Sequence, residues 1–534
     1  MSSAPQAEPG PPKVVGVVDI GANAVRMVIA QVWADGRIEV LERAQRAVRL
    51  GHDTFTTGRL GPRTMAAALA VLRDYKKLLD TYKAEAVRAV ATSAVREASN
   101  AEAFVDRVAL GTGLKLEVLD PSEESRLTVS AVRQAARGVL DLAAARTLIV
   151  EVGGGSTLLT LLESGLITGS ASYALGSVRL REHLAAGEEP QARAVGLLRQ
   201  QIANVVEAIK RSMPLGQVQV VAIVGEEARF AARQAGPPGT PAQAVSIVEL
   251  KPFSRLVADC ARLSAEKLAK KHGLPLQSTE RIVPAFLIYH ALVQATPVDR
   301  MAVCDVSMRD GLLLDLARRA SGEEDPELAE SAVRSARTIG EKYRYDARHA
   351  EHVAALALRL FDELQREHGL SPRHRLLLRV AATLHEIGGF VSNRAHHRHS
   401  FYLISNSEVF GLSREEVLVA AHVARYHRRA TPGPSHLEYL ALPREDRIAV
   451  SKLAAILRVA DCLDRGHAQQ VADFKLERGQ GELAIYVRGV SDLTLERRAI
   501  AEKGDLFEDT YGLRVRLEED TSAAAEPRRA SPVE

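Results

Sequence analysis

Apolar and polar positions follow two regimes along the chain. Up to about residue 320, short β-branched runs alternate with segments of helical spacing; from 323 to about 473 strand signals vanish and helical stripes dominate. In the first regime the runs 13–18, 25–32 and 37–41 predict strands, 64–79 a helix, 86–91 a strand, 100–110 a helix, 114–119 a strand and 123–136 a helix. The pattern then returns. Strands are predicted at 146–150, 158–162 and from 166, a helix at 197–212, a strand at 218–224, helices at 252–272 and 284–295, a strand at 301–305, and a helix opening at Arg309-Asp310-Gly311. In the second regime, helices are predicted at 350–364, 372–384, 414–426 and 450–463, and strands of a small closing module at 474–476, 482–487 and 513–517.

The two α/β stretches share a local design. One strand runs into Asp19-Ile20-Gly21-Ala22-Asn23-Ala24 and another into Glu151-Val152-Gly153-Gly154-Gly155-Ser156, about 130 residues apart. Each loop is followed by a second apolar run and a turn, Ala34-Asp35-Gly36 or Glu163-Ser164-Gly165. Glycine lets backbone N–H groups approach an anion, and a turn concentrates them. A carboxylate beside them can hold Mg²⁺ against a phosphate. One such loop is common; two on matched hairpins are the plan of the actin-like phosphotransferase fold, with phosphate in the cleft between two α/β lobes.

Composition narrows the class. The 534 residues suggest three or four domains. Lys and Arg number 70 against 67 Asp and Glu, a net charge of +3, which excludes a uniformly basic nucleic-acid coat but leaves room for a local basic channel. No nucleic-acid partner is expected. Cys260, Cys304 and Cys462 are odd in number and far apart, which argues against a disulfide framework and for a reducing compartment. No apolar run approaches the roughly 20 residues of a membrane span, and MSSAPQAEPGPPK lacks the pattern of a secretory signal. A cytoplasmic protein without membrane association is expected. The expected organisation is a disordered tail at 1–12, α/β lobes at 13–127 and 128–320, a helical domain at 328–470, a small α+β module at 471–518 and a disordered tail at 519–534.

At this point the residues resemble a specific family. VVDIGANAVRMVIAQV, RAVATSAVREASNAEAFVDR, LEVLDPSEESRLTVSAVRQA, LIVEVGGGSTLL and ALGSVRLRE, in this order, resemble the blocks of the exopolyphosphatase / guanosine pentaphosphate phosphatase (Ppx/GppA) family. TLHEIGGFVSNRAHHRHSFYLI, VARYHRR and AAILRVADCLDRGH resemble the helical HD-like domain of its long members, and EKGDLFEDTYGLRVRL their C-terminal module. The resemblance spans roughly residues 13–518. It implies two actin-like (ribonuclease H-like) lobes and Mg²⁺-dependent hydrolysis of the terminal phosphoryl group of inorganic polyphosphate, or of guanosine pentaphosphate, by a homodimer. It also implies site roles. Glu124 falls at the general-base position, Asp19 and Glu151 at the Mg²⁺ position, and Asn23, Gly153, Gly154, Gly155 and Ser156 at the phosphate loops. Arg96 falls at a phosphate-contacting arginine, and Arg179 at a weaker anion contact. Without the resemblance, Glu123 and Glu124 read as first-turn acids favoured by the helix dipole, and Arg96 as a solvated charge.

The chain departs from the family pattern in four places. Ala22 and Ala24 replace two loop serines, and Glu151 replaces an aspartate. Leu158 stands where glutamate is usual. Glu226 and Glu227 follow Gly225 in a third loop that is usually Gly-rich, where two carboxylates would repel a polyanion unless they face away or bind a cation. These changes point to reduced activity, and the alternative is a weakened sensor that binds polyphosphate or a guanosine nucleotide.

The histidines concentrate elsewhere: 12 of 16 lie between His349 and His467. His349, His385 with Glu386, and Asp461 are candidates for a second metal site of Mn²⁺, Fe or Zn²⁺, with His396, His397 and His399 close in sequence. The competing reading is a helical interface or a polyanion groove, for which Arg394, Arg398, Arg428 and Arg429 would supply charge.

Overall fold

The computed structural model describes residues 12–33, 35–185, 191–236, 244–321, 325–490 and 492–520. The segments expected to be disordered, 1–12 and 519–534, lie almost wholly outside the described residues. The chain divides into two compact units, Met1–Glu327 and Leu328–Glu534.

The first unit holds two sheets. β1 (Lys13–Ile20), β2 (Ala24–Val32), β3 (Ile38–Ala47), β4 (Ala86–Ala91) and β5 (Leu116–Val118) lie in the order β3-β2-β1-β4-β5. β6 (Thr147–Val152), β7 (Thr157–Glu163), β8 (Leu166–Tyr173), β9 (Val220–Val224), β10 (Val245–Glu249) and β11 (Arg300–Cys304) lie in the order β10-β11-β9-β6-β7-β8. Read from β8, the second sheet repeats the first, with antiparallel β10 added at its edge. In both, a hairpin leads into parallel neighbours of its first strand. The repeat in sequence is thus a repeat of fold, and the architecture is actin-like.

β1 explains why its run is almost continuously apolar: both faces are covered. Val18 and Ile20 pack with Leu72, Tyr75 and Leu79 of the helix Pro62–Thr81. Val15 and Val17 pack with Leu312, Leu313 and Leu316 of the helix Met308–Ser321. That last helix was expected in the second lobe because it follows β11. Its apolar stripe instead fills the face left by Val15, Val17, Val28 and Val90 of the first sheet, so the chain returns to the first lobe after completing the second.

In the second unit the helices Ala347–Glu363, Pro372–Leu384, Arg414–Arg425 and Arg444–Leu463 pack together. Leu453, Ile456 and Leu457 of the last share one core with Phe474, Ile485, Phe507 and Leu517. Those come from the sheet of β12 (Phe474–Arg478), β13 (Glu482–Val487) and β14 (Arg514–Glu519) and its linking helices. Among the described residues, the closing module therefore adds to the helical core and has no separate one. Among the described residues, no helix is long and apolar enough to cross a membrane.

Candidate active site

The two acid-bearing loops open on one cavity in the first unit. Asp19 sits near the end of β1, and Gly21 N–H closes the following turn on the Ala24 carbonyl at 3.1 Å. Glu151 sits near the end of β6, and Gly153 N–H closes the equivalent turn on the Ser156 carbonyl at 2.9 Å. Asp19, Asn23, Glu124, Glu151, Gly153, Gly154 and Ser156 all line the cavity. Gly155 does not: a Cβ there would come within 2.4 Å of Phe55 and 2.5 Å of Ser93, so its small size serves the packing of the loop.

Glu124 lies in the first turn of the helix Pro121–Ala136, whose N-cap Asp120 accepts from Glu123 N–H at 2.9 Å. Its side chain is buried against the cavity wall. Burial pushes the carboxyl up to about 7 against the pull of Arg96, and the charges of Glu151 and Asp19 add to the rise. Arg96 donates to Glu124 and to the Leu119 carbonyl, so its guanidinium orients the candidate base and is not itself part of the cavity lining. Glu123, one residue earlier, turns the other way. It accepts from Arg126 at 2.7 and 2.8 Å and from Arg88 at 3.3 Å, and both arginines also bind Asp315.

Glu151 accepts from the Thr128 hydroxyl at 2.6 Å. Burial pushes it, too, up to about 7. Asp19 accepts from Arg309 at 2.9 Å. Each of these acids thus has one oxygen engaged and one without such a bond. Three carboxylates share this site, and burial resists the ionisation of Glu124 and Glu151, an arrangement that a divalent cation relieves. The donor set fits Mg²⁺.

Four arginines that the sequence did not single out as site residues also line the cavity: Arg26, Arg229, Arg281 and Arg309. Arg26 had a readable signal, since it pairs across the hairpin with Asp19. Leu158 holds the equivalent position opposite Glu151, so the substitution of the usual glutamate falls on the cavity wall. Arg179, expected as an anion contact, is committed elsewhere. It binds Glu97 at 2.6 and 2.7 Å and the Gly155 carbonyl at 2.7 Å.

The helix Glu226–Ala235 starts at the cavity after Gly225, whose φ of 147° and the Tyr289 hydroxyl 2.3 Å from a built Cβ both require glycine. Of the cases that the sequence left open for Glu226 and Glu227, the structure shows the pair bound to cationic side chains. Glu226 accepts from Arg281 at 3.1 Å and from Arg26 at 3.3 Å, and Glu227 lies 3.0 Å from Arg281. Burial would raise Glu226, but Arg281 and Arg26 outweigh it and hold the carboxyl below its ordinary value.

Comparisons with known proteins identify the family. The Ppx/GppA phosphatase family model matches residues 28–320, and the model of domain III of the same phosphatases matches residues 333–499. The chain belongs to the Ppx/GppA phosphatase family. Exopolyphosphatase 2 of Mycobacterium tuberculosis is 30% identical over 57% of this chain and 98% of its own. The guanosine-5′-triphosphate,3′-diphosphate pyrophosphatase of Photobacterium profundum is 24% identical over 88% of this chain and 90% of its own. The crystal structure of the Aquifex aeolicus Ppx/GppA family member superposes with a TM-score of 0.50 at 25% identity, covering 58% of this chain and 99% of that one.

The part of this Ppx/GppA chain matched by domain III contains the histidine cluster. His349, His385, Glu386 and Asp461 bring one ligand atom each within 4.8 Å of one another, and Glu386, His396 and His427 do the same. His396 and His427 thus join the residues that the sequence put forward, while His397 and His399 are in neither group. Burial opposes a proton on His349, but Asp461, Asp464 and Glu386 outweigh it and push the imidazole up to about 9. The rise is particular to His349: burial lowers His396 and His427 from the ordinary imidazole value.

Proposed function

We propose that the cleft catalyses Mg²⁺-dependent hydrolysis of the terminal phosphoryl group of inorganic polyphosphate, with guanosine pentaphosphate as a second substrate. The observation that carries this reading is the placement of Glu124. A buried carboxylate poised near neutrality lines the same cavity as two glycine loops, four arginines, Asp19 and Glu151. In this reading Glu124 takes a proton from water as the water oxygen bonds to the terminal phosphorus. The bond from that phosphorus to the bridging oxygen breaks, and the shortened chain leaves with the electron pair. Asn23, Ser156 and the N–H group of Gly154 bind the phosphoryl oxygens, Gly153 N–H being spent on its own turn, and Arg96 holds Glu124 in its ionised, oriented form. Asp19 and Glu151 would hold Mg²⁺, which when bound neutralises phosphate charge. Burial of Glu124 suits a base working near pH 7, because proton transfer is most effective when the pKa lies near the operating pH.

Phosphate release from long-chain polyphosphate and from guanosine pentaphosphate, with Mg²⁺, tests this reading in wild type and Glu124→Gln. Release that is insensitive to Glu124→Gln refutes it. A second reading, a binding sensor with little turnover, draws on Ala22, on Leu158 in the cavity wall and on Glu226 occupying two cavity arginines. Polyphosphate binding without Glu124-dependent release would select it. A homodimeric, cytoplasmic protein is part of the proposal, and sedimentation of the purified chain checks the first.

A further inference from the structure

Six side chains of the second unit are arranged as ligands, and their arrangement goes beyond a single ion. His349 stands in the first turn of the helix Ala347–Glu363, and His385 and Glu386 directly follow the helix Pro372–Leu384. His396 opens the helix His396–Ser405, His427 follows Arg414–Arg425, and Asp461 lies on Arg444–Leu463. These elements come from a stretch of more than a hundred residues, yet their imidazole Nε2 atoms and carboxylate oxygens converge.

The Nδ1 atoms are already committed. His349 Nδ1 lies 2.9 Å from Asp464, His385 Nδ1 2.7 Å from the Ala382 carbonyl, and His427 Nδ1 2.6 Å from the Ala424 carbonyl. Carbonyl and carboxylate oxygens only accept, so each Nδ1 donates and each ring is fixed with Nε2 inward. A hydrogen bond of this kind at the far nitrogen is the usual second-layer support of a metal-bound imidazole. The Nε2 atoms of His349 and His385 are fully buried and have no hydrogen-bond partner. Their side chains are 1% and 0% exposed. They stand 3.7 and 3.6 Å from Asp461 Oδ1. That is too long for a hydrogen bond, and it is the spacing of ligands that share one ion at about 2.0–2.2 Å each. The other Asp461 oxygen is held by Lys503 at 2.6 Å, which leaves Oδ1 facing the imidazoles.

Glu386 decides the number of ions. Its Oε2 lies 3.9 Å from His349 Nε2, and its Oε1 lies 3.9 Å from His396 Nε2. His396 Nε2 in turn is 3.1 Å from His427 Nε2. The two oxygens of one carboxylate thus face two different imidazole groups. Four imidazoles exclude Mg²⁺ and Ca²⁺, which take oxygen ligands, and suit Mn²⁺, Fe²⁺ or Zn²⁺.

We propose that these residues form a two-ion transition-metal centre: His349, His385 and Asp461 hold one ion, His396 and His427 the other, and Glu386 bridges them. Glu386 and His396 are only partly buried, so the second ion faces solvent with coordination positions left for water or an oxyanion. Paired ions of this kind are used to hydrolyse phosphate esters and anhydrides, and this centre is made entirely from residues outside the cleft.

The full-length chain tests the assignment. The protein is stripped with EDTA, reloaded with Mn²⁺ or Zn²⁺, desalted and analysed for metal. Wild type should retain about two ions per chain, His396→Ala about one, and Glu386→Ala fewer than one, with circular dichroism confirming that each variant is folded. Added Mn²⁺ should raise the melting temperature of stripped wild type, and less so that of Glu386→Ala, since an ion that binds only the folded state stabilises it. Asp19→Asn, in the cleft, should leave the count unchanged. A wild-type count near zero overturns the centre. A count unchanged in folded His396→Ala overturns the shared carboxylate. A count lowered by Asp19→Asn and by neither second-unit variant places the ions in the cleft and overturns the proposal.

Discussion

Glu123 and Glu124 are adjacent in the chain and serve different partners: Glu124 faces the cavity with Arg96 at its back, while Glu123 is bound by Arg88 and Arg126 in a buried cluster with Asp315. Successive helical residues point about 100° apart, so one can serve chemistry while the other anchors the helix. Glu124→Gln should lower kcat about 10²–10⁴-fold and leave the melting temperature near wild type. Glu123→Gln should do the reverse. It should cost on the order of 3 kcal/mol of stability, because it removes one partner from a buried charge cluster, and keep turnover per folded molecule. Steady-state kinetics with thermal unfolding of both variants checks this, and turnover lost in Glu123→Gln alone would shift the base by one residue.

Arg96 lowers the pKa of Glu124 against burial, which raises it to about 7. Removing the guanidinium leaves burial less opposed, so the carboxylate should ionise at higher pH. In Arg96→Ala the acidic limb of the kcat/KM profile should move toward alkaline pH, and Arg96→Lys should restore part of the shift. An unmoved limb would mean that Arg96 acts on substrate alone.

Glu226 competes with an incoming phosphate for Arg26 and Arg281, and those arginines keep it ionised. Glu226→Gln should therefore tighten polyphosphate binding severalfold, equivalent to about 0.5–1 kcal/mol for a half-exposed ion pair. Binding should also become more salt-sensitive, because the freed attraction is screened by salt. A fluorescence-anisotropy series in KCl without Mg²⁺ measures both. Identical affinities at every salt concentration would show that neither arginine reaches the anion.

Glu151 is pushed up by burial from 4.5 to about 7. A carboxyl whose folded pKa is raised contributes stability that is fully present below its unfolded pKa and is lost as pH rises through the folded one. Between about pH 5 and 8 the wild type in EDTA should lose stability relative to Glu151→Gln, whose side chain is neutral throughout and can still accept from Thr128. Melting temperatures should nearly coincide at pH 4.5 and diverge in favour of the variant by pH 8. A constant gap across that range would assign the difference to packing.

Local pattern by itself determined much of this protein. Alternation and β-branched runs placed β1, β2, β4, β6, β7 and β13 within a few residues, because side-chain periodicity is set by the backbone of each element alone. The acid-glycine loops marked both halves of the cleft for the same reason: a tight turn beside a strand end needs particular residues at particular offsets. Where local signals conflict, the expectation slipped. The helical stripe 252–272 is two helices, Leu250–Ala261 and Ala265–His272, because Ser264 caps a new start. The helix containing Pro284 begins earlier, at Leu276. Only tertiary structure decided which charges meet. Arg309 reaches Asp19 across 290 positions and Arg26 reaches Glu226 across 200, and Arg179 is drawn away to Glu97. The helix Met308–Ser321 joins the first sheet because that is where an uncovered apolar face remained. His396 and His427 meet Glu386 through the folding of separate helices. Such pairings depend on how whole elements pack, and no spacing within a window of sequence encodes them.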